Sequence, residues 1–412
     1  MSSYSLVTLL LCLAVFSGYL NYRFLKLPSG IGITLVSIFI GICVLLAEVF
    51  WPGWPLAAHL TQIVQNIEFE EAVLHWMLGF LLFAGALHVE LDTLLERLRS
   101  ILSLATIGVF LSTTIVGFSI YFLFGLLGIN LPLLWALLFG ALISPTDPVA
   151  VLATLKKVGV SKETETVIVG ESLLNDGVAV VLFLALLEML KAKGVFDVSH
   201  VLIFLIQECL GGLLLGTSLG FLAFLLLKTI DDYELEVLIT LALVMLCFSI
   251  AEIFHFSGPL AVVAAGLLIG NHGRRLAMSP RTVEHIDTFW RLIDSLLNAI
   301  LFLLIGLEIL IIKNNHFSPI LALLSIALVL GGRFLSVSLS MAITKPVRAL
   351  SFRKNLFFTW CGLKGGIAIA LAFSLPEHPF KMVLLSLTYF NVVFSVVVQG
   401  LTLRPVAQRL KF

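Results

Sequence analysis

Apolar runs of membrane-crossing length recur along the whole of this chain, and that recurrence restricts it to a bilayer. A hydrocarbon core about 30 Å thick needs roughly 20 mainly apolar residues per helix. Runs at or near that length occupy 5–21, 30–50, 72–90, 101–127, 131–154, 166–190, 201–228, 235–255, 257–270, 292–312, 317–343, 355–376 and 381–403. The expectation is an all-α polytopic membrane protein of about thirteen transmembrane helices, with the boundary between the eighth and ninth the weakest. Composition agrees: 60% of the 412 residues are hydrophobic and 12% charged, against about 25% charged in soluble domains. Met1 to Leu11 contains no Lys or Arg, so the first run reads as a retained span and not as a leader. No soluble C-terminal domain is expected.

Lys and Arg total 25, as do Asp and Glu, which leaves no basic field to hold nucleic acid. Cys12, Cys43, Cys209, Cys247 and Cys361 fall in apolar stretches without metal-ligand spacing and read as small buried hydrophobes. The basic residues do sort by side. Nineteen of the 25 fall in one set of alternate connections, four (Lys191, Lys193, Lys313, Lys381) in the other, and Arg333 and Lys364 within spans. By the positive-inside rule the N-terminus is external and the C-terminus cytoplasmic.

Two spans carry interruptions. Ser144-Pro145-Thr146-Asp147-Pro148 puts two prolines into span 5; each removes an N–H, so the carbonyls of Ala141 and Ser144 lose their helical donors. Span 12 carries Cys361-Gly362-Leu363-Lys364-Gly365-Gly366, three glycines and a lysine at membrane depth. With span 7 as linker, both breaks fall in the fifth span of a six-helix half, and the halves run in opposite senses. An inverted-topology repeat with broken helices at matching positions places a transport site where the breaks meet.

Span 6 contains Gly170-Glu171-Ser172-Leu173-Leu174-Asn175-Asp176-Gly177. At 100° per residue, Glu171, Asn175, Ser172 and Asp176 lie at about 0°, 40°, 100° and 140°, on one face. Two acids there need partners or water. Glu171 reads as scaffold, paired with Arg333 or Lys364. Asp176, with Asp147, Thr146, Ser172 and the carbonyls freed at the first break, makes a set of hard oxygen donors suited to a small cation. A proton and a cation competing for one buried carboxylate would constitute an exchange mechanism, because the empty charged site is held back by its burial cost. Asp147 and Lys364 also stand where they could neutralise the ends of broken helices; for Lys364 that role and one in proton-linked gating both stay open.

The strings SPTDPVAV (144–151), GESLLNDGVAVVLF (170–183), HFSGPLAVVAAGLLIGN (255–271), FWRLIDSLLNAILFLLIGLE (289–308) and WCGLKGGIAIALAFSLP (360–376) resemble the monovalent cation:proton antiporter family, in particular its bacterial NhaP-type sodium/proton exchangers. The resemblance implies a plasma-membrane homodimer. Each protomer would have a transport core (about 101–190 and 317–403) moving against a dimerisation scaffold (about 1–90 and 201–312). It implies no cofactor, with Na⁺ and H⁺ as cargo. By position, Asp176 looks like the exchanging carboxylate, Asn175 its preceding asparagine, Asp147 and Thr146 the unwound-helix ligands and Ser172 the hydroxyl ligand. Glu171 and Arg333 resemble the family's buried ion pair. The Asn-Asp pair implies electroneutral exchange of one cation for one proton.

Two positions depart from the family pattern: Ala84 stands where glutamate is frequent, and Lys364 where arginine is common, two groups that are not interchangeable. Exchange of Na⁺, and of Li⁺ as a further candidate, is the leading expectation. The missing acid at Ala84 keeps K⁺/H⁺ exchange open. A passive channel normally assembles symmetric subunits around a pore, and no enzyme motif appears. Of nine histidines, His88 is the best placed to sense pH, although a solvated histidine is the more ordinary reading. The connection 51–71, with Trp51, Trp54, Glu68, Glu70 and Glu71, reads as an interfacial anchor with an acidic mouth. Basic stretch 271–291 reads as topology signal or lipid contact. Glu252 and Glu308 are expected at span ends, within reach of water.

Overall fold

The structure, a computed structural model, describes residues 3–50, 71–148, 151–152, 155, 158–191, 198–312, 319–344 and 351–410. The order of helices is α1 (Ser3–Leu20), α2 (Ser29–Phe50), α3 (Leu78–Leu87), the short α4 (Leu91–Glu96) and α5 (Leu98–Leu126). Next come α6 (Leu133–Leu142), α7 (Lys162–Lys191), α8 (Val198–Leu227), α9 (Tyr233–Phe254) and α10 (Gly258–Leu268). Last are α11 (Pro280–Leu307), α12 (Pro319–Thr344), α13 (Phe352–Cys361), α14 (Gly366–Phe373) and α15 (Pro379–Leu410). Among the described residues every regular element is a helix.

Nine of these helices are long and apolar enough to cross a bilayer, or ten with α13 and α14 taken as one broken span, again among the described residues. The expected runs 72–90, 131–154 and 257–270 hold shorter helices: α3, α6 and α10. The weak boundary between α9 and α10 is a true break. His255 takes a left-handed conformation, φ 53°, and Ser257 caps α10 by accepting from Leu260 N at 3.4 Å, satisfying one of the free amides of a helix start. The expected anchor 51–70 lies outside the described residues, with Glu71 at its edge.

The buried apolar side chains form two layers stacked along the helices. In α7, Val167 to Leu173 belong to one layer and Val178 to Met189 to the other. In the broken pair, Phe357 to Leu363 and Ala368 to Leu375 divide in the same way, as do Trp290 and Leu301 to Leu310 in and just beyond α11. The polar residues of the breaks, with Asn175 and Asp176 of α7, fall between the layers. Glu252 is exposed as expected, but Glu308 is 2% exposed. The helical path resumes at Ile309–Ile312, so Glu308 is inside the apolar layer and not at an end that reaches water.

Candidate functional site

The two breaks meet and satisfy one another. Pro145 and Pro148 withhold the donors that Ala141 and Ser144 would need. Ser144 N turns back onto Ala141 O at 3.1 Å, while Lys364 Nζ donates to Ser144 O at 3.2 Å and Pro145 O at 3.3 Å. Lys364 projects from the second break, where α13 and α14 are bent by 60°. Main chain joins main chain as Asp147 N donates to Leu363 O at 2.8 Å. The amide of Lys364 donates to Ser395 Oγ at 2.8 Å, and Ser395 in turn to Gln399 Oε1 at 2.5 Å. Asp147 packs on Gly365, the residue that opens α14. A Cβ there would stand 2.8 Å from the aspartate Cβ and 2.9 Å from Oδ2, so glycine is what lets the carboxylate approach a helix N-terminus, where negative charge is favoured.

From α7, Asn175 grips the first break. Its Nδ2 donates to Thr146 Oγ1 at 2.7 Å and its Oδ1 accepts from Thr146 N at 3.4 Å. Thr146 Oγ1 and Ser172 Oγ are hydrogen-bonded at 3.0 Å, with either hydroxyl able to donate. Asp176, 4% exposed, has one buried carboxylate oxygen without a hydrogen-bond partner, and it lies in the field of the Asp147 and Lys364 charges. Glu171 takes Arg333: Nη2 lies 2.5 Å from Oε1 with both side chains buried. Gly362 makes room for the guanidinium, since a Cβ there would lie 2.7 Å from Arg333 Nε.

A cavity of about 580 Å³ opens onto this cluster and is lined at the site by Thr146, Asp147 and Asp176. Ser172 and Asn175 stand behind Thr146 and are not among the lining residues. The structure thus gathers all five expected ligands, three of them at the cavity. Their donors are two carboxylates with hydroxyl and carbonyl oxygens, chemistry that suits a hard monovalent cation. Among the described residues no three His, Cys, Asp or Glu converge as a metal-binding group.

Two cavity-lining residues escape a reading based on motifs. Asp294 and Asn298 of α11 share the far wall, with Asn298 Nδ2 donating to Asp294 Oδ1 at 2.9 Å. Their i, i+4 spacing, at the start of the apolar half of α11, was the available signal. Toward the mouth lie His88, Glu90 and Lys162. His88 is half exposed; its Nδ1 is 2.8 Å from Ala84 O and its Nε2 3.8 Å from Asp287. Ion pairs ring this end of the molecule: Lys162–Glu90 at 2.6 Å, Arg97–Glu163 at 2.5 Å and Arg275–Asp92 at 2.9 Å. The hydrogen-bonded ammonium of Lys162 holds the Glu90 carboxyl below its ordinary range.

Residues 10–409 match the profile of the transmembrane sodium/hydrogen exchanger family. The chain is 41% identical over 410 residues to the Na(+)/H(+) antiporter NhaP of Pseudomonas aeruginosa, covering 98% of this chain and 96% of that one. It is 36% identical over 395 residues to the antiporter NhaH of Halobacillus dabanensis, covering 94% and 93% of the two chains. Its fold is similar to the sodium proton antiporter MjNhaP1 of Methanocaldococcus jannaschii at pH 8. That likeness has a TM-score of 0.78 at 21% identity over 100% of this chain and 99% of that one. With a matching profile over nearly its whole length and a multi-pass helical fold in which two helix breaks meet, this chain belongs to the sodium/hydrogen exchanger family of cation:proton antiporters, transporters and not enzymes.

Proposed function

We propose that the protein exchanges Na⁺ for H⁺ across the bacterial plasma membrane, one for one and without net charge, with Li⁺ as a second substrate. Cation and proton compete for Asp176. The observation that carries this reading is the partnerless carboxylate oxygen of Asp176 at the inner end of the cavity. Either cargo gives that oxygen a positive partner, and the empty charged form bears the cost of a buried charge when the site is closed off. Asp147 and Thr146 complete the ion's shell, Ser172 and Asn175 hold Thr146 in place, and Glu171–Arg333 is structural. Lys364 compensates the carbonyl end of the first break and Asp147 the amide end of the second, consistent with their positions on opposite helix ends.

The cavity mouth carries Lys162 and Arg291, so by the positive-inside rule we assign it to the cytoplasm. The short helices α3, α6 and α10 would complete thirteen crossings arranged as two inverted six-helix repeats. Residues of about 101–190 and 317–403 would then move as a transport core against a scaffold of about 1–90 and 201–312, as a homodimer. K⁺/H⁺ exchange is the second reading, favoured by Ala84, which lines the cavity and adds no carboxylate to the shell.

Proteoliposomes of the purified chain decide between these. Pulses of Na⁺, Li⁺ or K⁺ at clamped voltage should drive proton flux with Na⁺, independently of potential. Asp176→Asn should abolish the flux and leave the melting temperature in place. A response to K⁺ alone would change the cargo, and full activity of Asp176→Asn would refute the assigned carboxylate.

A further inference from the structure

Glu308 is the least satisfied carboxylate among the described residues: 2% exposed, with neither oxygen hydrogen-bonded. Leaving such a group unpaired is destabilising, so its retention calls for a use in another conformation. Its position suggests one. On α11 and its extension, Asp294, Asn298, Leu301, Ile305 and Glu308 follow the spacing 4, 3, 4, 3 and share a face about 80° wide. The first three line the cavity, and Leu301 presses on Gly366 at the start of α14, where an added Cβ would meet its Cδ1. Leu301 therefore marks the level of the breaks. Asp294 and Glu308 each lie seven residues from it, about 10 Å to either side.

One acid of this stripe is thus on the open side of the barrier and one on the closed side. On α15, Tyr389 also has a buried hydroxyl without a partner, within electrostatic reach of Glu308. The two unsatisfied groups lie on either side of the boundary between the proposed scaffold (α11) and the proposed core (α15), the surface that must slide in alternating access.

We propose that Glu308 is the cation-attracting carboxylate of the external vestibule, sealed in the present inward-open conformation and uncovered when the core moves outward, as Asp294 is for the cytoplasmic cavity. The stripe on α11 is then the stationary wall of both half-paths, and the cation meets an acid on whichever side is open. This rests on the exchange reading above.

Sided transport assays on the full chain test it, with right-side-out vesicles presenting the external face and everted vesicles the cytoplasmic one. A charge acting over about 10 Å at intermediate dielectric changes local cation occupancy by about threefold to tenfold. Glu308→Gln should raise the half-saturating external Na⁺ by that factor and leave the cytoplasmic value unchanged; Asp294→Asn should do the reverse. Equal effects of Glu308→Gln on both faces, or none on either while the native chain still exchanges, would overturn the assignment. Absence of cation-driven proton flux in the native chain would instead defeat the exchange reading.

Should Glu308→Gln fail to fold, Glu308→Cys in a chain freed of its five native cysteines provides the second measurement. Labelling by an impermeant maleimide from outside supports the proposal, and protection from that face under turnover overturns it.

Discussion

Asn175 contributes to the site through Thr146. Both ends of its amide are engaged there, at 2.7 Å and 3.4 Å, and it does not line the cavity. Asn175→Asp would keep the acceptor, lose the donor and place a second carboxylate beside Asp176. The expected outcome is exchange that becomes sensitive to membrane potential, measured as proton flux at zero and at an imposed voltage; unaltered voltage independence would show that this residue does not set the charge balance. The identity of the ligand set was legible in sequence because Thr146-Asp147 and Asn175-Asp176 are short motifs. Which members reach the cavity was not, since 26 positions separate Thr146 from Ser172 and only their packing decides which stands in front.

The broken helices were legible for a local reason: proline and glycine act on their own turn of chain. The compensation was less so. Ser144 O finds Lys364 across 220 positions, and Glu171 pairs with Arg333 and not Lys364 across 162, choices made by tertiary approach. Glu308 was expected to reach water because the apolar run ends only four residues later, at Ile312, whereas its burial is decided by tertiary packing. Stranding one partner of a buried ion pair costs about 3–5 kcal/mol. Arg333→Met should therefore lower stability in detergent by that amount, while the double variant Glu171→Gln, Arg333→Met recovers most of it. A melting temperature unchanged in Arg333→Met with transport lost would move the pair from scaffold to chemistry.

Across the whole molecule, the Glu90–Lys162 pair joins the chain leaving α3 to the start of α7, and so bridges the proposed scaffold and core at the mouth of the cavity. Exposed pairs contribute about 0.2–1 kcal/mol. Lys162→Glu loses that attraction and adds a repulsion of similar size, and should thus shift the balance between inward- and outward-open forms by no more than about thirtyfold, read as salt-sensitive turnover, and the swap Glu90→Lys, Lys162→Glu should restore it. Because the glutamate's carboxyl is held below its ordinary range, the pair's contribution is full above that range and lost as pH falls through the lowered value. Turnover that ignores salt in Lys162→Glu would remove the pair from any part in opening.

The two apolar layers have an electrical consequence. A cavity that brings water through one layer to Asp176 carries the potential of its own side inward with it. The voltage across the membrane, worth about 2.3 kcal/mol per charge at 100 mV, then drops chiefly across the remaining layer. In this conformation the protein is a thin insulator, with the membrane's field concentrated on the half that contains Glu308.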